Sequence, residues 1–227
     1  LSFIERMPTG ISGLDNMIEG GFPIPSIILV AGESGTGKTT LCTQFLFKGA
    51  GMGERGLCFL TYGGPPDMLL DFASSYEFVN RTFFGAEIRY IELDEMLDRA
   101  WEEGSEFMLK EFEMQISDFN PARIVIEGLS ILEEALKEDY WRFLLRLSHL
   151  LKAKRLVAVL SEESLTCSLY PPRIAEVADG IILLKNEEIN LTRRRSIEIL
   201  KMRGTSHHLG KQAVDISTKG MTIYPGL

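Results

Sequence analysis

Residues Gly32-Glu33-Ser34-Gly35-Thr36-Gly37-Lys38-Thr39 fit the pattern G-x-x-x-x-G-K-[ST] at every fixed position, and no other feature limits the fold of this chain as tightly. Glycines in such a loop let the backbone curl until successive N–H groups point inward at phosphate oxygens. Lys38 brings a mobile positive charge for the β- and γ-phosphates, and the Thr39 hydroxyl suits Mg²⁺. The candidate nucleotide-binding residues are therefore Gly32, Ser34, Gly35, Thr36, Gly37, Lys38, Thr39 and the adjoining Thr40. Ser26-Ile27-Ile28-Leu29-Val30-Ala31 before the loop reads as a buried strand, and Lys38 to Lys48 after it as the start of a helix. A strand–loop–helix order aims the positive end of a helix dipole at an anion. The implied ligand is a nucleoside triphosphate with Mg²⁺.

Apolar runs bounded by turn residues recur along the rest of the chain. They are Leu57 to Tyr62, Ile88 to Ile91, Ile124 to Glu127, Leu156 to Leu160 and Gly180 to Leu184. Several are nearly continuous, as strands covered on both faces should be. Between them, Leu136, Tyr140, Phe143, Leu144, Leu147 and Leu151 recur at helical spacing, as do Trp101, Met108, Phe112 and Ile116. The alternation predicts an α/β fold with a mostly parallel sheet flanked by helices. The tail changes character: Ser196 to Met202, Gln212 to Ile216 and Met221 to Tyr224 read as antiparallel strands added to that sheet. At 227 residues, 45% of them apolar, residues 1–227 are expected to form one domain.

No window approaches the ~18 uncharged apolar residues of a membrane span, and Leu1 to Arg6 lacks a signal peptide's basic-then-apolar layout, although a start at Leu1 implies a trimmed chain. Cys42, Cys58 and Cys167 are far apart and form no C-x-x-C, so a disulfide framework or zinc site is not expected and a reducing cytoplasm fits. A net charge of −8 argues against a general polyanion binder. The basic run Arg193-Arg194-Arg195 lies beside Glu187, Glu188 and Glu198 and reads as a solvated hairpin turn.

Three groups of residues together resemble a known family. Pro8-Thr9-Gly10-Ile11-Ser12-Gly13-Leu14-Asp15 and Gly20-Gly21-Phe22-Pro23 precede the phosphate loop, Val177-Ala178-Asp179-Gly180-Ile181-Ile182 comes later, and Lys201-Met202-Arg203-Gly204-Thr205-Ser206-His207 follows. In this order they resemble the signatures of a KaiC-like ATPase domain, a member of the RecA-like P-loop group, over about residue 7 to the C-terminus. The resemblance implies ATP as nucleotide and a homo-oligomer, a hexamer, with a protein partner of unknown identity. It also implies that Lys201, Arg203, Thr205 and His207 of one subunit reach the triphosphate held by its neighbour. Strand alternation would put Lys201 and Arg203 on one face, where both cations can converge on one anion. His208 matches nothing in the family pattern and reads as a surface residue.

Two departures bear on chemistry. ATP-hydrolysing members of the family carry two adjacent glutamates after the second core strand, where this chain has Gly63 and Gly64, and glycine cannot accept a proton. At the family's metal-associated aspartate stands Glu127, followed by Gly128 where serine is common. Glu127 keeps the charge but displaces the carboxylate by about 1 Å, and positioning errors of that size can cost ~100-fold. The expectation is an ATP-binding regulatory or assembly module with weak or absent hydrolysis, Thr39 and Glu127 holding the metal. The alternative is a competent ATPase with Glu127 as base, or with Glu33, Asp67, Glu162 or Glu163 in its place. RecA-like DNA handling ranks third. The loops that would track a nucleic acid, 128–134 and 162–173, carry four glutamates and one arginine.

Overall fold

The computed structural model describes residues 4–61, 66–164, 169–189 and 191–226, so Gly63, Gly64 and Cys167 lie outside the described residues. The strands are β1 (Arg6–Met7), β2 (Phe22–Pro23), β3 (Ser26–Gly32), β4 (Gly56–Leu60), β5 (Ile88–Glu92), β6 (Arg123–Glu127), β7 (Val157–Glu163), β8 (Gly180–Ile189), β9 (Thr192–Met202), β10 (Lys211–Ser217) and β11 (Gly220–Tyr224). The helices are α1 (Leu14–Met17), α2 (Lys38–Ala50), α3 (Pro66–Ala73), α4 (Asp94–Phe119), α5 (Leu132–Leu136), α6 (Tyr140–Ala153) and α7 (Pro172–Val177). The two short first strands pair with each other, and the remaining nine form one sheet in the order β11-β10-β9-β8-β3-β7-β6-β4-β5. From β8 to β5 every pairing is parallel, and β8 to β11 are joined by antiparallel pairings. The expected mostly parallel sheet with an antiparallel tail is therefore the observed one.

Strand alternation divides the interior into two cores. Ile27, Leu29 and Ala31 of β3 face a core built with α4 to α7, whereas Ile28 and Val30 face a second core that contains Leu41, Cys42 and Phe45 of α2. Every residue of β3 and β4 is buried, which is why those segments read as unbroken apolar runs. On α6 the expected stripe holds: Tyr140, Phe143, Leu144, Leu147 and Leu151 are all buried. Burial also pushes the Cys42 and Cys58 thiols well above their ordinary pKa, which leaves both as inert core residues.

Two expectations need correction. Met108, Phe112 and Ile116 are buried on α4, but Trp101 is 57% exposed. Gly104 at φ 75° and ψ −164° interrupts the helix, so the residues before it leave the register of the apolar stripe. The tail hairpin also begins earlier than expected. Arg193, Arg194 and Arg195 lie on β9, opposite Glu188, Glu187 and Asn186, not in a turn.

Arg123, the first residue of β6, is fully buried. Its guanidinium donates to Glu54 (2.6 Å), to the Pro8 carbonyl (2.8 Å) and to the Phe45 carbonyl (2.9 Å), and it lies over the Phe45 ring. The planar guanidinium reaches them from two separate nitrogens, Nε on the carboxylate and Nη1 on both carbonyls, a spread that a point-like ammonium lacks. The residue thereby ties the N-terminal segment to α2. Arg123→Met keeps the volume but takes the cation from Glu54 and a donor from the Pro8 and Phe45 carbonyls, so stability should fall by about 2 kcal/mol and Tm by roughly 4–8 °C. An unchanged urea midpoint would show that those carbonyls find other donors.

Candidate nucleotide site

β3 delivers the loop at the C-terminal edge of the sheet, and α2 begins at Lys38 directly after it. Gly37 takes φ 106°, and a Cβ there would lie 2.5 Å from Cδ1 of Ile216, so the turn into α2 requires glycine. Thr36 closes the loop internally, its hydroxyl donating to the Glu33 carbonyl at 2.8 Å. Lys38 Nζ donates to the carbonyls of Gly32 (2.8 Å) and Glu33 (3.0 Å), which folds the ammonium over the loop. Burial lowers the Lys38 pKa, while the charges of Glu163, Glu127 and Glu162 raise it again.

Glu127 ends β6 beside the start of α2, and its carboxyl lies near the Thr39 hydroxyl. Burial raises its pKa, opposed by Lys38 and by the Thr39 hydroxyl. The β4 terminus is fastened to the same point, with Thr61 donating from Oγ1 to the Glu127 carbonyl at 2.7 Å. Gly128 then turns left-handed at φ 72°, and a Cβ would meet Thr61 Oγ1 at 2.0 Å. Serine cannot occupy this backbone, which accounts for the departure noted in the sequence.

Mg²⁺ takes hard oxygen ligands, typically one or two from protein, with phosphate and water completing its octahedron. The adjacent Thr39 hydroxyl and Glu127 carboxyl are such a pair. Among the described residues no cluster of three His, Cys, Asp or Glu side chains could hold a metal alone. The donor set thus fits a metal that arrives with a nucleotide.

Two concavities flank the loop, and Lys38 and Thr39 line both. The larger, of about 500 Å³, is walled by Thr61, Glu127, Ser130 and Glu162. Glu162 is 1% exposed and accepts hydrogen bonds from the Ser130 hydroxyl (2.6 Å) and backbone N–H (3.2 Å). Burial raises its pKa to about 7, with the Ser130 and Leu129 hydrogen bonds and Lys38 acting in the other direction. The second concavity, of about 330 Å³, includes Tyr76, Arg195 and Ile216. Tyr76 shares a hydrogen bond with the Thr40 hydroxyl (2.9 Å) and stacks on Phe78. Arg195 Nε reaches the Gly35 carbonyl at 3.4 Å.

Arg195 and Tyr76 were missed by sequence reasoning. A signal for Arg195 existed: it shares strand parity with Ile197 and Ile199, which pack into the core that contains α2. Tyr76 offered none, since a lone aromatic after a short helix carries no spacing.

Lys201, Arg203, Thr205 and His207 lie elsewhere. Met202 pairs with Gly180, which lies beside Ile28, four residues back along β3 from Gly32. About 13 Å of strand separates the two levels. Lys201 Nζ donates to the Ala178 carbonyl (2.6 Å), and Arg203 pairs with Asp179 (3.1 Å), as does Lys152 (2.9 Å). Thr205 accepts from Arg6 at 2.9 Å, and both ring nitrogens of His207 are buried with no hydrogen-bond partner among the described residues. The segment is gathered around the Ala178–Asp179 corner, away from its own phosphate loop. His208 is exposed, as expected.

The profile of the family described as "ATPase: KaiC" matches residues 7–227. The chain belongs to that family. A crystal structure of a KaiC-like protein from Pyrococcus horikoshii OT3 superimposes with a TM-score of 0.82 at 30% identity, over 98% of this chain and 100% of that one. A UPF0273 protein of Thermotoga maritima is 28% identical over 98% of this chain and 97% of its own length. The circadian clock oscillator protein KaiC of Thermosynechococcus vestitus is 32% identical, but the chain spans only 42% of it. KaiC-family membership makes the chain a nucleotide-binding module with the RecA-like architecture described above. Among the described residues no helix is long and apolar enough to cross a membrane.

Proposed function

We propose that this KaiC-family domain is a regulatory or assembly module that binds Mg-ATP at residues 32–39 and hydrolyses it slowly or not at all. Lys38 neutralises the β- and γ-phosphates, Thr39 and Glu127 share the metal, and Tyr76 and Arg195 line the side open to the remaining part of the nucleotide. Lys201, Arg203, Thr205 and His207 act on the nucleotide of a neighbouring copy, and ring closure at a hexamer satisfies every site. One observation supports this reading above others: these residues sit at the opposite end of the strands from their own loop, so they can meet a triphosphate only in trans. Binding and assembly are then linked, because the nucleotide contributes contacts to the interface.

Slow chemistry follows from the supply of bases. Glu127 lies against the Thr39 hydroxyl with which it shares the metal, both oxygens of Glu162 are engaged by Ser130 at near-zero exposure, and Glu163 stands exposed on the cleft wall. The first two are thereby occupied, no hydrogen bond among the described residues positions Glu163, and loss of a positioned base typically removes 10²–10⁴-fold. The test joins a turnover assay to light scattering on the same sample. Turnover should fall well below the ~1–100 s⁻¹ of efficient phosphoryl-transfer enzymes. Mg-ATP should convert smaller species to a closed ring, and Arg203→Ala should weaken that assembly about tenfold, the loss of one charge-assisted contact per interface. A protein that stays monomeric with Mg-ATP bound removes the trans role. Brisk turnover abolished by Glu127→Gln, with Mg-ATP affinity kept, establishes instead an ATPase with Glu127 as base.

A further inference from the structure

The break at Gly104 has a second effect on α4. The segment before it turns one apolar side toward α5, outside the nucleotide cleft, and leaves a groove of about 200 Å³. Leu97, Trp101, Ile131 and Ala135 form its apolar surface, and Asp94, Asp98 and Glu134 stand around it. Of the two tryptophans, Trp141 packs against the core, whereas Trp101 is 57% exposed. No cation lines the groove among the described residues. Two basic side chains on adjoining segments are engaged elsewhere: Arg99 lies over the Phe107 ring and pairs with Glu103, and Arg173 pairs with Glu133.

We propose that this groove docks a partner protein through a segment that sets an apolar side chain against Trp101 and brings lysine or arginine onto the three carboxylates. Exposed tryptophan beside an apolar depression is the composition of interface hot spots, and a rim of one charge selects a partner of the other. Charge also decides between occupants. A second copy of this chain carries 32 acidic against 24 basic residues and would bring net like charge to the rim. An anionic lipid surface would be repelled in the same way. Ile131 also lines the nucleotide cleft, so the docked segment touches the stretch that Glu162 holds through Ser130. The docking proposal itself does not depend on nucleotide, and its test uses the whole chain without any.

The probe is a helical peptide with leucine along one face and lysine along the other, compared with its leucine/glutamate counterpart. The readout is the pair of tryptophan indole N–H signals in ¹⁵N-labelled protein, assigned with Trp101→Phe. The leucine/lysine peptide should move the Trp101 signal and spare Trp141. Its affinity should drop about tenfold in Asp98→Lys and in Glu134→Lys, but hardly in Glu113→Lys, an exposed acid farther along α4. Equal losses in all three variants would reduce the effect to net charge and overturn the proposal. Equal binding of the leucine/glutamate peptide, or binding with no Trp101 shift, would overturn it too. A Trp101 shift that grows with protein concentration alone would assign the groove to a second copy instead.

Discussion

Lys38→Ala should weaken Mg-ATP binding about 100-fold while leaving the domain folded. The ammonium is half-buried, so its charge is poorly solvated, and the three glutamates around it compensate only through space. Its hydrogen bonds go to the carbonyls of Gly32 and Glu33, weak acceptors beside a triphosphate oxygen. A phosphate therefore gains a charge-assisted bond worth about 1.5–3 kcal/mol, and two such bonds correspond to a factor of roughly 100 or more. Alanine sits comfortably at the start of α2, and the loop keeps its Thr36–Glu33 closure, so circular dichroism and the urea midpoint should barely change. Calorimetry at millimolar nucleotide decides the matter. If the unmodified protein takes up no Mg-ATP, the reading of residues 32–39 as a phosphate cradle is wrong.

The parallel half of the sheet was legible in the sequence because burial on both faces leaves the middles of β3, β4, β6 and β7 as unbroken apolar runs, with polar residues such as Arg123, Glu127 and Ser161 to Glu163 confined to the strand ends. Helix α6 was legible for the complementary reason, a stripe that repeats without interruption. Legibility failed where one residue reset the period. Gly104 fits a helical pattern when only apolar positions are counted, yet its left-handed backbone separates Trp101 from Met108. Charge clustering misled in the tail: three arginines in a row look like a turn, but each has an acidic or amide residue opposite it on β8.

The site divides along the same line. The phosphate loop is local, with contacts running between residues six or fewer positions apart, so a motif contains it. Glu127 was legible from its place at a strand end, but its approach to Thr39 spans two elements and no spacing encodes it. Arg195 and Tyr76 reach the loop from β9 and from beyond α3, and only the assembled sheet brings them there. Glu162 is intermediate. It continues the parity of Ala158 and Leu160, both buried in the core that holds α5 and α6, so a charged residue was due to face inward at that point.

That inward carboxyl gives the second large effect. Wild-type stability should decline as pH rises from about 4.5 to about 7, relative to Glu162→Gln. In the unfolded chain the carboxyl ionises near 4.5, whereas burial at the end of β7 raises it to about 7 in the folded protein. The folded state therefore retains a proton that the unfolded state has released. The contribution to stability is complete below pH 4.5 and is lost as pH climbs through 7. At about 1.4 kcal/mol for each tenfold change in proton affinity, the loss is on the order of 3 kcal/mol, or roughly 6–12 °C in Tm. Glutamine stays neutral throughout, still accepts from the Ser130 N–H and can donate to its hydroxyl, so the local fold should survive. Carboxylates common to both proteins cancel in the difference. Urea melts of the pair at pH 5, 6, 7 and 8 should show a gap that widens with pH in favour of glutamine. A constant gap would mean that the carboxyl beside Ser130 ionises near its ordinary value. The negative charge that the cleft holds next to Lys38 would then be permanent, and not set by pH.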